Sequence, residues 1–397
     1  MRQRNLSRVL HALAAEGPLS RATVATRIGL TRAAVSTLVD ELLRAGLVTE
    51  QRPGRSGTVG RPGTALLLAD RGPCGFGAEI GVDRLAVCAM DLRGAVRARI
   101  SRSTRGLDTG PEAVLGRLGE LLHRLIEEAA ALGLQPHRVT VAVPGLVARS
   151  AATVMHAPNL GWRDVDLGGL MPAGLGPLTV DNEANLGALA ELWAGGHSPA
   201  PDSFIHVSAE IGIGAAVIVD GELLRGAHGF AGELGHVPVQ PDGRDCSCGG
   251  RGCLETYAGT EALLRAAGVD PDPGVRVDAL SSRCTEGDAT ALRAVRQAGT
   301  ALGVALSGAV NLLDPRQVVV GGALARLAPW LLPPLRSELT RRTAVAEGGR
   351  PTPLPVTASR FGQDGPLLGA AHSAVRGVLD APPRPAPQAR PAAAGRR

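Results

Sequence analysis

The sequence contains no lysine: all 42 basic side chains in its 397 residues are arginine. Arginine stands wherever lysine would otherwise serve, a uniformity we attribute mainly to genomic base composition. Aromatic residues make up only 2 % of the chain, which argues against a role that stacks single-stranded bases on rings. No stretch approaches the run of about 18 apolar residues that marks a membrane span. The first residues, Met1 to Ser7, lead into an amphipathic pattern instead of a long apolar block. That argues against export and for a reducing, cytoplasmic setting.

What is present suffices for two or three domains with sizeable cores. The net charge of +5 conceals an asymmetry. Residues 1–72 hold 11 arginines against five carboxylates (Glu16, Asp40, Glu41, Glu50 and Asp70), whereas the remainder balances 31 basic against 32 acidic residues. A basic head on a near-neutral body suggests a separate anion-binding module.

Within that head, Leu6, Val9, Leu10 and Leu13 recur at helical spacing and predict a helix over 5–15. Gly17-Pro18-Leu19 breaks it, and Ser20 caps a second helix through Ile28. After the turn at Gly29, Thr31 caps a third helix to about Ala45. Val35, Leu38, Val39 and Leu42 form its buried stripe, leaving Arg32, Ala33, Ser36 and Thr37 exposed. This is the pattern of a helix-turn-helix. Two short strands, 47–50 and 65–68, flank a basic Gly/Pro-rich tip and complete a winged helix. Double-stranded DNA is the expected partner: Thr31, Arg32, Ser36 and Thr37 offer the groove face, Arg52 and Arg55 meet phosphates, and Arg61 enters a minor groove. A basic protein–protein module is the competing reading.

Farther on, Cys246, Cys248 and Cys253 are separated by glycines, with His236 ten residues upstream. Thiolates with one imidazole fill a tetrahedral shell and favour zinc, and glycines let the backbone fold tightly enough to bring sulfurs together. The alternative is a disulfide with spare thiols, which a reducing compartment disfavours. Glu233 and Glu255 flank this knuckle and are either acceptors for a polyol or solvated surface carboxylates.

From Cys74 onward, strands over 76–82, 85–91 and 96–100, a helix over 111–132 and a strand over 139–143 read as α/β. His156–Trp162 reads as a loop holding the Asn159 amide towards a cleft. Asp181-Asn182-Glu183-Ala184-Asn185 falls where a strand gives way to a helix, a placement suited to ligand binding or, for Asp181 or Asn182, to simple capping. A second set of strands (204–208, 214–219, 318–322 and 355–357) alternates with helices at 259–267 and 287–313, and a last helix spans 365–378. Residues 381–397, rich in Pro, Ala and Arg, read as disordered.

Gly-Glu-Leu-Gly-His (232–236) followed by Cys-x-Cys-Gly-x-x-Gly-Cys-Leu-Glu (246–255) resembles the signature of the ROK family, which contains repressors and sugar kinases. The resemblance runs over roughly residues 1–378. It implies a winged helix at 1–72 and a two-lobed α/β actin-like (ribonuclease H-like) sugar kinase fold. Lobe 1 would cover 73–195 together with helix 365–378, lobe 2 would cover 196–364 with the zinc knuckle, and 379–397 would be a tail. It further implies structural zinc on His236, Cys246, Cys248 and Cys253, and sugar contacts from Asn159, Asn182, Glu183, Glu233, His236 and Glu255.

Kinases of the family carry an Asp-x-Gly-Gly-Thr turn where this chain has Glu79-Ile80-Gly81-Val82-Asp83, and a Gly-Thr-Gly-x-Gly loop where it has Ser208-Ala209-Glu210-Ile211-Gly212-Ile213-Gly214. Glu183 occupies the position of the kinase's catalytic Asp, one methylene farther out. An ionised Glu210 beside a phosphate would cost about 4 kcal/mol at ~4 Å and an effective dielectric of about 20. The expectation is therefore a sugar-responsive, DNA-binding regulator, most simply a repressor released by sugar, acting as a homodimer or homotetramer. The alternatives are an active ATP-dependent sugar kinase and a sensor of zinc itself.

Overall fold

The apolar stripe of Leu6, Val9, Leu10 and Leu13 is the buried face of α1 (Arg2–Glu16) in a computed structural model of the chain. The structure describes residues 1–51, 64–148, 152–171, 176–197, 202–269, 276–343 and 354–383. β1 (Leu19–Ser20) follows, then α2 (Arg21–Ile28), α3 (Arg32–Arg44), β2 (Val48–Gln51) and β3 (Ala65–Leu68). Ser20 and Thr31 cap α2 and α3, accepting from the Thr23 and Ala34 backbone N–H groups. Leu19, expected as part of a break, pairs together with the cap Ser20 as a third strand beside β3 in the order β1-β3-β2. A two-residue strand leaves no alternation by which a sequence could announce it.

Lobe 1 consists of β4 (Gly72–Ile80), β5 (Arg84–Met90), β6 (Val96–Ser103), α4 (Pro111–Ala131), β7 (Leu134–Val143), β8 (Leu146–Val147), β9 (Thr153–Ala157), β10 (Trp162–Asp166), α5 (Leu167–Leu170), β11 (Leu178–Asn182) and α6 (Glu183–Ala194). Its main sheet runs β11-β7-β4-β5-β6, with β4, β7 and β11 parallel. The loop expected over 156–162 is shorter than that. His156 and Ala157 end β9, Trp162 begins β10, and a 3-10 turn, Pro158–Leu160, joins the two strands in a small antiparallel sheet. Pro158 and Gly161, read as loop residues, are the turn of this hairpin, and the half-buried strands around them lack a clean polar alternation.

Lobe 2 follows with β12 (Phe204–Ala209), β13 (Ile213–Val219), β14 (Glu222–Leu223), α7 (Glu255–Ala258), α8 (Thr260–Ala266), α9 (Arg276–Thr285), α10 (Ala289–Leu313), β15 (Gln317–Gly322), α11 (Ala328–Arg342) and β16 (Val356–Ala358). Its sheet order is β14-β13-β12-β15-β16. Helix α11 escapes the sequence reading because Pro333 and Pro334 lie inside it, where proline normally ends a helix. Its Leu331, Leu335 and Leu339 nevertheless pack into the core formed by α10 and this sheet.

The closing helix, α12 (Gly365–Asp380), lies across β4 and β7 and alongside α6. Glycines make the approach close: a Cβ at Gly77 would lie 2.6 Å from both Ala371 N and Leu367 O. One apolar cluster joins Leu10, Val39 and Leu66 of the head to Met90 of β5 and to Val375 and Leu379 of α12. Beyond that core, His11 Nε2 meets Asp380 Oδ1 at 2.6 Å, and Gln3 Nε2 donates to Pro382 O at 2.7 Å. Disorder expected from residue 381 therefore begins too early, because Pro382 is buried against α1. Residues 384–397, to which the rest of that expectation applies, lie outside the described residues. No helix among the described residues is long and apolar enough to cross a membrane.

Candidate functional site

Strand ends and helix starts from both lobes surround a cavity of about 560 Å³, and all six residues expected to face a sugar line it. Asn159 reaches it from the turn between β9 and β10, and Asn182 and Glu183 from the junction of β11 with α6. Glu233 and His236 come from the segment after β14, and Glu255 from the first residue of α7. His156, Asp181, Asn185 and Ser247, none of them among the six expected sugar contacts, also line it. Asp181 and Asn185 sat in the polar run at the strand-to-helix junction, so a signal was present; Ser247 carried none.

Asn182 is committed locally as well as lining the cavity. Its Oδ1 accepts from Ala184 N at 2.8 Å and Asn185 N at 3.3 Å, and its Nδ2 donates to Gly145 O at 2.8 Å. It thus caps α6 and ties that helix to the turn after β7. Asp181 Oδ1 accepts from Asn182 N and Asn185 Nδ2, and its Oδ2 accepts from Arg225 at 2.6 Å.

Below the cavity, donor atoms of His236, Cys246, Cys248 and Cys253 all lie within 4.8 Å of one another, a cluster able to hold a metal ion. Cys248 Sγ is 3.7 Å from Cys253 Sγ, and Cys246 Sγ is 3.8 Å from His236 Nδ1. The backbone closes on itself here: Cys246 N donates to Gly250 O at 2.9 Å, and a Cβ on Gly252 (φ 71) would run into Gln240 O. His236 presents Nε2 to Glu233 at 3.7 Å, while its Nδ1 faces the sulfurs and Glu255.

A second cavity of about 330 Å³ adjoins the first and holds Glu79, Asp83, Arg84, Glu183, Glu210 and Thr260 among its lining. Arg84 is bound to both carboxylate oxygens of Glu79, at 2.9 and 2.7 Å, and also donates to Gln363 O. Burial, followed by the nearby Glu79 charge, pushes the Glu183 carboxyl up to about 7, against a smaller opposing effect of Arg84. Burial and then Glu183 hold Glu210 well above the ordinary carboxylate range. The expected full negative charge at Glu210 is thus corrected: desolvation favours its neutral form, and the pocket is obstructed by a carboxyl group more than by a charge.

On the head, Thr31, Arg32 and Thr37 are exposed along the start of α3, whereas Ser36, expected to be exposed, is half-buried. The helix turns Ser36 part-way towards the core that Val35 and Val39 enter. Thr37 Oγ1 bonds back to Ala33 O at 3.2 Å. Arg21 links Asp40 and Glu50 at 3.0 and 2.8 Å, fixing α2 against α3 and β2. The wing residues Arg52, Arg55 and Arg61 lie outside the described residues.

A winged helix built onto a two-lobed sugar-kinase-like body defines the class: a transcriptional regulator whose body is related to sugar kinases. Residues 75–376 match the ROK family and residues 4–57 the MarR family, and the chain belongs to the ROK family. It is 30% identical over 363 residues to the xylose repressor of Caldicellulosiruptor bescii, covering 87% of this chain and 90% of that one. Among solved structures, it is similar to a ROK family transcriptional regulator homologous to the Escherichia coli Mlc protein, at 26% identity and a TM-score of 0.79 over 96% of each chain. It also resembles a ROK family glucokinase from Streptomyces griseus in complex with glucose and AMPPNP, with TM-score 0.64, 28% identity, and coverage of 76% of this chain and 99% of that one.

Proposed function

We propose that the protein is a sugar-responsive repressor: its winged helix holds operator DNA, and a neutral sugar bound between the lobes releases it. One observation carries this reading. Asn159, Glu183, Glu233, His236 and Glu255 converge on a single cavity shared by both lobes. Carboxylates accept from sugar hydroxyls, the Asn159 amide both donates and accepts, and His236 Nε2 meets a further hydroxyl. A ligand touching both walls stabilises one separation of the lobes. α6 starts at that cavity, α12 lies along α6, and α12 ends against α1 of the head, so a lobe movement reaches the DNA-reading module through packed helices.

The metal we assign to the His/Cys cluster is structural zinc. Zinc–sulfur bonds of ~2.3 Å in a tetrahedron separate two sulfurs by about 3.8 Å, which suits the 3.7 Å between Cys248 and Cys253. His236, Cys246, Cys248 and Cys253 would fill the shell, so the ion would contribute rigidity and no chemistry. Its effect is to hold His236 and Glu255 where a sugar meets them.

We do not assign phosphoryl transfer to this chain. Arg84, one of three arginines lining the second cavity with Arg105 and Arg326, is already bound to Glu79, and Glu183 and Glu210 crowd the same space. DNA reading is assigned to Thr31, Arg32, Ser36 and Thr37 with the wing residues Arg52, Arg55 and Arg61, in a homodimer whose two heads span a two-fold operator. Calorimetry with a panel of neutral monosaccharides, with and without operator duplex, tests the reading. Mutual weakening of sugar and DNA binding is expected, and independent binding would end it. ATP-dependent phosphorylation of the bound sugar, abolished in Glu183→Ala, would establish a kinase instead.

A further inference from the structure

We infer that a basic cavity on lobe 2, remote in chemistry from the acidic sugar site, is a second ligand site that takes a small molecule bearing a phosphate monoester. It lies between the 239–244 segment, Tyr257 of α7 and the first half of α10, and encloses about 920 Å³. Small-molecule sites typically span roughly 300–1,000 Å³. Arg244, Arg293 and Arg296 line it, with Gln240, Gln297 and Tyr257 as further polar groups, and no carboxylate does.

Half-buried guanidinium groups such as Arg84 and Arg283 are matched by acids, Glu79 and Asp288, whereas the three that line this cavity are exposed. None of these three has a carboxylate partner among the described residues, and the neighbouring Asp245 is bound to Arg251 at 2.8 Å. Three unmatched positive charges around one concavity create a potential that an anion relieves.

The geometry is also prepared. Arg244 stacks over the Tyr257 ring at 4.7 Å, and one edge of its guanidinium is fixed by a 2.6 Å bond to Thr256 O. Its backbone N–H donates to Tyr257 Oη at 3.1 Å. Arg293 and Arg296 are three residues apart on α10, hence on one face of the helix. The Arg244 fork, held in this way, and two further guanidinium groups on one helix face, of which Arg293 also donates to Thr290 Oγ1 at 3.2 Å, suit the oxygens of a phosphate, which guanidinium groups bind through paired hydrogen bonds.

The site shares covalent structure with the knuckle. Arg244 O accepts from Gly252 N at 2.7 Å, Gly252 O accepts from Val239 N at 2.8 Å, and Tyr257 follows Glu255 by two residues on the same helix. A ligand drawing Arg244 and Tyr257 together bears on the segment that places Glu255 and the cysteines. It would thereby act as a second effector; this coupling, unlike the site itself, rests on the sugar reading above.

Calorimetry on the full chain tests the site, with glycerol 3-phosphate as probe and glycerol and inorganic phosphate as controls. We expect one equivalent of glycerol 3-phosphate per chain, no binding of glycerol, and binding at least about tenfold weaker in the Arg293→Gln/Arg296→Gln variant. Both arginines are exposed, so this variant keeps the fold. Arg124→Gln, an exposed arginine on α4 of lobe 1, should bind as the unaltered protein does. Undiminished binding by the double variant, or loss in Arg124→Gln instead, overturns the assignment. So does inorganic phosphate binding as tightly as the monoester. A change in sedimentation of the double variant without any phosphate binding would make the face a contact between copies of the chain. A shift of sugar affinity at saturating glycerol 3-phosphate supports the coupling, and no shift removes it while the anion site stands. Failure of every sugar to bind would refute the sugar reading alone.

Discussion

Arg225 and Asp181 meet across the cleft, NH2 to Oδ2, at 2.6 Å. Asp181 belongs to β11 of lobe 1, and Arg225 follows β14 of lobe 2, so this bond joins the two halves of the cavity. Asn182 N and Asn185 Nδ2 already hold the other oxygen of Asp181, which leaves Arg225 as the partner that moves. Arg225→Ala should weaken sugar binding about tenfold, or roughly 1.4 kcal/mol. The Arg225 side chain is 34% exposed, and solvent screening keeps the loss below the roughly 3–5 kcal/mol seen when fully buried pairs are broken. Calorimetry on Arg225→Ala and Arg225→Lys checks this; affinity unchanged in both would show that the pair does not gate the cavity.

Glu183 gives the site a pH dependence. Its folded carboxyl is held near 7, above its ordinary value of 4.5, because burial disfavours the charge. The folded state therefore keeps a proton that the unfolded state has released. Glu183's contribution to stability is greatest below about 4.5 and is lost as pH rises towards 7. An ionised carboxylate accepts two hydroxyl protons where a neutral one accepts with less strength, so sugar affinity should climb between pH 6 and pH 8, levelling above about 7. Glu183→Gln should flatten both the stability slope and the affinity slope. Titrations at several pH values decide it, and an affinity that falls with rising pH would contradict the assigned role.

How far the sequence disclosed this arrangement depends on where the signal is local. Ser20 and Thr31 cap helices just where hydroxyl residues precede periodic apolar ones, and the six expected cavity residues come together from strand and helix ends and the turns between elements. Ser36 and α11 resisted. The half-burial of Ser36 depends on how α3 is rotated against α1 and α2, and α11 survives its prolines through packing against α10. The Arg225–Asp181 bond joins residues 44 apart, and the charge state of Glu210 depends on burial between lobes. Neither is written in any short stretch of residues.

Removal of the metal should act on structure first. If zinc holds His236, Cys246, Cys248 and Cys253, about one ion per chain will be found by plasma mass spectrometry. Chelation, or Cys253→Ser, should then raise amide exchange over residues 238–254 and abolish sugar binding, with the head still folded. An apo protein that keeps exchange protection there, yet loses operator binding, would point to zinc as the sensed ligand.

Gly369 marks the tightest approach between α12 and α6: any Cβ there would run into Leu186 O. Gly369→Ala must push α12 off α6, and overpacking of this kind costs about 1–3 kcal/mol. Because α6 begins at Glu183 and α12 ends beside α1, loosening their contact should separate sugar binding from DNA release. We expect Gly369→Ala to melt several degrees lower and to bind sugar to nearly the usual extent. Its operator complex, in contrast, should resist saturating sugar. His11→Ala removes only a part-exposed pair to Asp380, a change of less than about 1 kcal/mol. It serves as the control that keeps a normal response. Fluorescence anisotropy of labelled operator, with and without sugar, reads the outcome. A Gly369→Ala protein that still releases DNA on sugar addition would exclude α12 as the route.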